Sequence, residues 1–343
     1  MERKDYYENG EGQIEDYVLS KKEIESCRHK SEKRWYRGLC ILNVLIVLAC
    51  VAIVVSSAPK QYQSLKKEIN AAMEEIKTEI EEETEQGEKK TKKAEENKKK
   101  EAEKKSSETE NEDTIDEQER NMFFYAAMAL VMFLFVPLIV NWYYQQYRTM
   151  SIRITEKNFP EIYERVELYA KRLGMKKVPE VYIIQQNGIL NAFSSFIIRK
   201  QYIEIFADIF EVAYREHEDL DTISFIIAHE MAHIQYKHAT FGYYIKIMFS
   251  SLIPILGSTA SRAREYSCDR LAQKVTGNDG IEAMFSLMAG KHLYKMVDKE
   301  DYLEYAKNVK GFFVWWYNLL ADHPVMTKRI PALEKGEGSG KLY

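Results

Sequence analysis

Two long runs of apolar side chains divide the chain before any other pattern stands out. Residues 38–58 contain no charged side chain, and neither do residues 121–147, which include Pro137 and a Trp-Tyr-Tyr cluster beginning at Trp142. Each run is long enough to cross a hydrocarbon layer of about 30 Å as a helix. Trp and Tyr favour the membrane interface. We therefore predict two transmembrane helices, at 38–58 and 121–147.

The segment between the two runs, residues 59–120, is rich in Lys and Glu and nearly free of aromatic side chains. Such a composition buries too little apolar surface to offset the entropy of the chain, so most of this loop is predicted to be solvated. Its first part differs, because apolar residues recur there at steps of three and four: Tyr62, Leu65, Ile69, Ala72 and Ile76. This stripe predicts a helix continuing out of the membrane, or alternatively a short dimerising coiled coil.

Basic side chains around the two apolar runs favour one orientation in the membrane. Arg and Lys crowd residues 28–37, and Arg148 and Arg153 follow the second run. Because basic residues concentrate on the cytoplasmic side, both chain ends are expected there, including an amino-terminal segment at 1–37. The expectation is a multi-pass protein of the plasma membrane with its charged loop outside, although lysines early in that loop weaken the bias.

Residues 151–335 have the mixed pattern of a globular domain, and residues 336–343 form a tail. A helical pattern opens at Pro160, and short strands are predicted at 181–184 and 202–206. The second strand alternates as a half-exposed edge strand would. The prediction is an α+β domain, mostly helical, with a small antiparallel sheet.

The stretch 222–238 is helical by pattern, with Asp219 or Asp221 as its cap, and it contains the motif HEMAH. Residues four apart share one helix face, so His229 and His233 can bind the same zinc ion. Glu230 lies beside them and can accept a proton from a water activated by the ion. The motif predicts a zinc-dependent peptidase with one Zn²⁺ per chain. Two core histidines without a metal are the less favoured alternative, since a glutamate beside them would be costly to bury.

A catalytic zinc site needs a third protein ligand and one open position. The best candidate is Glu265, in the helical segment SRAREYSCDRLAQ, which Gly277 is expected to end. Asp269 lies one turn later on the same face and can accept the free N–H of a zinc-bound imidazole. His238 is predicted to face elsewhere on the helix, in a structural or surface role.

Residues 155–335 resemble the membrane-associated zinc metallopeptidase family of HtpX-type stress proteases and CAAX-prenyl endopeptidases. The resemblance rests on four separated pieces in the expected order: Asn191-Ala192-Phe193, the segment HEMAHIQYKH, the segment REYSCD, and His323-Pro324 followed by Arg329-Ile330. It implies a zincin-like fold of the gluzincin kind, preceded here by the two transmembrane helices. The apolar stretch Tyr243–Leu256 departs from the family pattern, because it is too short for a two-helix crossing and is better suited to contacting the membrane or covering the core.

The same resemblance implies a role for each remaining site residue. Glu265 would be the third zinc ligand, with Asp269 and Arg329 supporting the ligands, and His323 would stabilise the oxyanion of the transition state. Family members lay the substrate as an added strand against an edge strand, here the predicted strand 202–206. Three residues are therefore expected to contact substrate: Asn191, Tyr202 and Glu204.

Charge and cysteine content narrow the classes of function. A net charge of -4 gives no electrostatic footprint for nucleic acid. Four cysteines without a CxxC pair indicate a reducing compartment. The expected function is an endopeptidase acting on membrane-associated or misfolded proteins, in quality control or stress response. Alternatives are a protease that processes prenylated or other membrane-bound peptides, and an inactive protease-like adaptor that binds partners through the charged loop. The oligomeric state stays open.

Overall fold

Helices account for most of the chain in the computed structural model, which describes residues 17–85, 110–185, 191–197 and 200–343. Parts of two predicted segments, residues 1–16 of the amino-terminal segment and 86–109 of the charged loop, lie outside the described residues. The α-helices of the described part are α1 (Lys21–Ser26), α2 (Glu32–Glu85), α3 (Glu110–Thr149), α4 (Pro160–Arg172), α5 (Ala207–Glu211), α6 (Leu220–Gln235), α7 (Phe241–Ile247), α8 (Leu256–Thr276), α9 (Ile281–Leu293), α10 (Lys299–Asn308), α11 (Phe312–Leu320) and α12 (Met326–Glu334).

The helices α2 and α3 contain the two apolar runs. Their stretches Glu32–Thr78 and Glu117–Tyr143 are long and apolar enough to cross a membrane, and only 11% of each apolar window is buried, unlike a core helix of a soluble protein. The two helices suggest membrane association. The apolar stripe that starts at Tyr62 continues α2 beyond the first run and is exposed, 64% for Tyr62 itself. A coiled coil through this stripe stays a prediction.

The sheet has four strands: β1 (Ile152–Arg153), β2 (Glu180–Ile184), β3 (Ala192–Ile197) and β4 (Lys200–Phe206). Their order is β1-β2-β4-β3, with β2 and β4 parallel and the other two pairs antiparallel. The mostly helical α+β prediction is confirmed, but the sheet is mixed where a purely antiparallel one was predicted. The difference arises because β3 and β4 form a hairpin whose second strand returns beside β2 in the same direction.

The strand Tyr202–Phe206 is not at the edge of the sheet, so that prediction was wrong. As part of β4 it lies between β2 and β3, and Tyr202 and Glu204 are 1% and 0% exposed. Burial raises the pKa of Glu204 to about 7, and among the described residues neither of its carboxylate oxygens has a hydrogen-bond partner. The alternating apolar and polar side chains of β4 therefore point to two sides of the sheet that are both buried. The outer strand next to β4 is β3.

One apolar core fixes the helices that carry the motifs. Ile223, Phe225 and Ile227 of α6 are fully buried, and α6 packs against α4, α8, α9 and β3. The α4 helix begins at Pro160 as predicted, and α8 ends at Gly277, whose φ of 76° is the left-handed conformation that glycine adopts most easily. The two segments with candidate ligands therefore lie side by side in a rigid core.

Contacts between Cα atoms divide the chain into two units. One unit is Val44–Val136, and the other combines the described residues up to Asn43 with Pro137–Tyr343. Within the second unit, the last turn of α3 contains Arg148, which donates hydrogen bonds to Tyr182 at 2.9 Å and Glu180 at 3.1 Å. The second unit thus includes the segment before the first apolar run and the segment after the second apolar run.

The apolar stretch Tyr243–Leu256 forms part of α7 and a short 3-10 helix at Ser250–Leu252. It packs on the first turns of α2, where Leu39 contacts Ile247. The Asn43 side chain accepts a hydrogen bond from the Phe249 amide at 2.8 Å and donates one to the Ile245 carbonyl at 3.2 Å. The stretch therefore lies beside the beginning of the first apolar run.

Candidate metal centre

The helix that carries HEMAH is anchored at its amino-terminal end by Asp219. Asp219 accepts a hydrogen bond from the Thr222 amide at 2.9 Å and another from the Tyr294 hydroxyl at 2.7 Å, so it is the cap and Asp221 is not. Burial acts to raise the pKa of Asp219, but the contacts with Lys295, Thr222 and Tyr294 outweigh it and lower the pKa to about 2. The Asp219 carboxylate therefore stays ionised, and its negative charge interacts favourably with the positive end of the α6 helix dipole.

Two histidines of α6 and one glutamate of α8 converge on a single point. The Nε2 atoms of His229 and His233 are 3.3 Å apart, and each is 3.3 Å from a different carboxylate oxygen of Glu265. Ligand atoms about 2.0–2.1 Å from a tetrahedral zinc ion lie about 3.3–3.4 Å from one another. These three side chains therefore have the type and the spacing of a zinc ligand set, and they could hold a divalent ion.

Electrostatics at this point favour a cation. Burial tends to lower the pKa of His229, but hydrogen bonds with Asp269 and Glu265 outweigh it and raise the pKa to about 10. Burial tends to raise the pKa of Glu265, but its contacts with the two histidines hold it well below the ordinary value. A buried carboxylate that stays charged needs positive charge beside it, which a bound ion would supply.

Asp269 and Arg329 brace the same group. Asp269 accepts a hydrogen bond from His229 Nδ1 at 2.8 Å, which leaves Nε2 as the ring nitrogen on the side of Glu265 that could bind an ion. Arg329 donates to both oxygens of Asp269, at 2.7 and 2.8 Å, and its Nη2 lies 3.5 Å from Glu265. The side chains of His229, Glu265, Asp269 and Arg329 are all buried. The carboxylate and guanidinium groups together fix the orientation of one histidine.

The group opens into a cavity of about 530 Å³. Glu230 and His323 line it, and the His323 Nε2 atom is 3.7 Å from Glu265 while two thirds of the side chain is exposed. Asn191 and the first residues of β3, through Ser194, form another part of the wall. The structure thus brings the base candidate, the oxyanion candidate and Asn191 to one cavity.

Two of the predicted substrate residues are not among the described lining of this cavity. Tyr202 and Glu204 lie in the buried inner strand β4, because the strand taken for an edge is covered on both sides. Their predicted contact with substrate therefore no longer has a structural basis. The strand at this edge of the sheet, where a substrate strand could add, is β3.

Glu32 was not among the residues predicted from the sequence, and the prediction that His238 faces away from the group was wrong, because His238 contacts His233. His238 follows the end of α6, is 8% exposed, and places its Nδ1 atom 3.2 Å from His233 Nδ1 and its Nε2 atom 3.0 Å from Glu32 Oε1. Burial is the main cause that lowers the pKa of His238 to about 3, so this imidazole is neutral. His238 was visible in the sequence five residues after His233, but no local pattern connects it with Glu32.

The comparison with known proteins agrees with this geometry. Residues 156–256 match the model of Peptidase family M48, a stretch that includes α6 but ends before Glu265. No curated protein and no solved structure matches the chain. The match confirms the resemblance to the family of HtpX-type and CAAX-prenyl peptidases drawn from the motifs. Residues 156–256 are therefore similar to Peptidase family M48, a family of metallopeptidases.

Proposed function

We propose that the protein is a membrane-anchored zinc endopeptidase that cleaves membrane-associated or misfolded proteins. The observation that carries the proposal is the convergence of His229, His233 and Glu265 at zinc-ligand spacing beside the cavity that Glu230 lines. Two nitrogens and one carboxylate oxygen leave a fourth tetrahedral position open, which is the arrangement of a catalytic rather than a structural zinc site.

The chain's own residues divide the chemistry among them. Zinc held by the three ligands would supply Lewis acidity that makes a water more acidic and polarises the scissile carbonyl. Glu230 accepts the proton of the attacking water and passes it to the nitrogen of the leaving amine. His323, on the exposed rim, donates a hydrogen bond to the oxyanion. Asp269 and Arg329 hold His229 still while the charge develops.

Peptide substrate is proposed to add to β3 as a further strand. The strand is the outer one of the sheet, and Ala192, Phe193 and Ser194 line the cavity next to the candidate ligands. Hydrogen bonds between main chains give affinity without a strict sequence requirement, which suits a protease with many substrates. Asn191 stands at the start of this strand, where its side chain can meet substrate.

A location close to the membrane supports substrates that are themselves in the membrane. We call the unit that combines the described residues up to Asn43 with Pro137–Tyr343 the peptidase unit. In it, Leu39 and Asn43, from the first turns of the apolar run, pack against residues 245–250. The neighbouring Leu252 is 75% exposed. An exposed leucine is favourable when lipid covers it. The peptidase unit is therefore proposed to lie against the bilayer surface.

The proposed orientation has the peptidase unit in the cytoplasm of a multi-pass protein of the plasma membrane. The basic residues 28–37 before the first apolar run support it. Protease added to intact cells is expected to cut within residues 59–120 and to spare the peptidase unit, detected by tags at residue 100 and at the carboxyl terminus. Loss of the carboxyl-terminal tag with an intact loop would reverse the orientation.

The proposed activity is tested by removing the metal from the purified full chain. Chelation is expected to stop cleavage of an unfolded protein such as casein, and one equivalent of Zn²⁺ is expected to restore it, because the ion supplies the Lewis acid. Cleavage is followed by release of fluorescent peptides, with Mg²⁺ as the control ion. Cleavage that persists after zinc has been removed and quantified as absent would refute the proposal. A chain that binds no zinc and cleaves nothing would instead support the adaptor alternative.

A further inference from the structure

The amino-terminal segment just before the first apolar run is packed into the peptidase unit. Leu19, Ile24 and Cys27 belong to the main apolar core, and the Leu19 amide donates to the Arg172 carbonyl at 2.7 Å. The Tyr236 hydroxyl, at the end of α6, donates to the Ile24 carbonyl at 2.7 Å. The sequence predicted these residues as a separate cytoplasmic segment, but they pack into the core of the peptidase unit.

Glu32, at the first residue of α2, is the most deeply buried carboxylate of this segment. The side chain is 4% exposed. It accepts hydrogen bonds from Ser267 of α8 and from Arg28, and its Oε1 atom faces His238 Nε2 at 3.0 Å. A carboxylate buried with only one basic side chain paired to it is costly unless its remaining lone pairs are satisfied. The hydroxyl and the imidazole N–H satisfy them.

The two nitrogens of His238 have opposite roles because of their partners. The Nε2 atom faces a carboxylate and so carries the hydrogen, which leaves Nδ1 as an acceptor. At 3.2 Å the His238 Nδ1 atom can accept the Nδ1–H of His233. With its hydrogen on Nδ1, His233 keeps Nε2 free to bind zinc at the point where Nε2 meets Glu265 and His229. Each contact in the series thus sets the hydrogen position of the next.

We infer that Glu32 and His238 form a positioning relay, which fixes the tautomer and ring orientation of His233 for zinc. The relay is the counterpart of Asp269, which does the same for His229 through one direct contact. The inference rests on the proposed zinc site. The relay makes the first turn of α2 a part of the metal centre, because Glu32 is the first residue of the helix that continues into the first apolar run.

Another use of the same atoms is a second metal site. His233, His238 and Cys268 also have ligand atoms within 4.8 Å of one another. The relay uses the hydrogen on His233 Nδ1, whereas a second metal would displace it. The two arrangements therefore predict different metal contents: one zinc per chain for the relay and two for the second site.

The relay is tested by zinc affinity, measured on the purified full chain in detergent by competition with a chromophoric chelator. Glu32→Leu and His238→Phe are each expected to weaken zinc binding 10- to 100-fold, as loss of a hydrogen-bond partner of a ligand does, and together no more than either alone. Glu32→Gln keeps an acceptor for His238 and is expected to retain most of the affinity. The absorption spectrum of the Co²⁺-substituted chain is expected to change in the first two variants.

A matched control separates positioning from simple docking of the segment. Glu23→Leu removes the capping box between Ser20 and Glu23 in the same segment, without touching the relay. It is expected to lower the melting temperature of the chain and to leave zinc affinity unchanged. Normal zinc affinity in both Glu32→Leu and His238→Phe, or two zinc ions per chain of which Cys268→Ala removes one, would overturn the relay. A wild-type chain without zinc would instead overturn the proposed function.

Discussion

Glu230→Gln is expected to lower kcat for protein cleavage by about 10²- to 10⁴-fold, the range for loss of a general base. Glutamine has nearly the shape of glutamate but cannot take the proton from the attacking water. Glu230 lines the cavity and is not one of the three converging ligands, so the variant is expected to keep one zinc ion per chain. The measurement is initial cleavage rate together with zinc content by atomic absorption.

Glu164→Gln makes the same chemical change on the exposed face of α4 and serves as the control. It is expected to cleave at the wild-type rate. The variant at position 230 is also expected to hold substrate without cutting it, so substrates from membranes should co-purify with it. Cleavage by Glu230→Gln at the rate of the control would show that another group is the base.

Glu265→Ala is expected to weaken zinc binding by more than the 10- to 100-fold typical of losing a partner that only orients a ligand. The carboxylate has an oxygen 3.3 Å from the Nε2 of each histidine, and its removal leaves two ligands. Cleavage at ordinary zinc concentrations is expected to disappear with the metal. Zinc affinity by chelator competition and cleavage across a zinc titration measure the two effects.

The control for this substitution is Glu304→Ala, on the exposed face of α10. It is expected to keep both affinity and activity. Asp269→Asn is expected to fall between the two, because it loses a negative charge beside His229 without removing a ligand. Zinc affinity in Glu265→Ala equal to that of the control would mean that the third ligand lies elsewhere, and the ligand set proposed here would be wrong.

The metal group could be predicted from sequence because helix geometry is local. His229 and His233 are four residues apart, and one helical turn brings them together whatever the rest of the fold does. Glu265 required more, since spacing alone does not bring α8 beside α6. The order of the motifs supplied that step, and the packing of the two helices agrees with it.

The substrate strand could not be predicted in the same way. Alternation around Glu204 is typical of a strand with one solvent-exposed side, and a buried glutamate that has no hydrogen-bond partner in the described part of the chain is contrary to that pattern. Strand order depends on pairing between distant segments, here β2 beside β4, which no local window contains. The edge was therefore assigned to the wrong member of the hairpin.

The amino-terminal segment was misjudged for a related reason. It is short, polar and followed by a long apolar run, so the sequence predicted only a cytoplasmic segment beside a transmembrane helix. Its apolar residues, such as Leu19 and Ile24, are too few to predict a separate core. They pack into the main core, which is built from distant parts of the chain. The two long apolar helices were easier to predict, because an uncharged run is recognisable without knowing its neighbours.

The sequence separation of Glu32 from its partners has a consequence for biogenesis. Glu32 precedes His238 by 206 residues and Ser267 by 235. Glu32 leaves the ribosome before either partner has been synthesised. Domains usually fold as units as they emerge, but this one can close only after α8 has been translated. The proposed zinc site and its relay therefore stay incomplete until the carboxyl-terminal half of the chain has been synthesised.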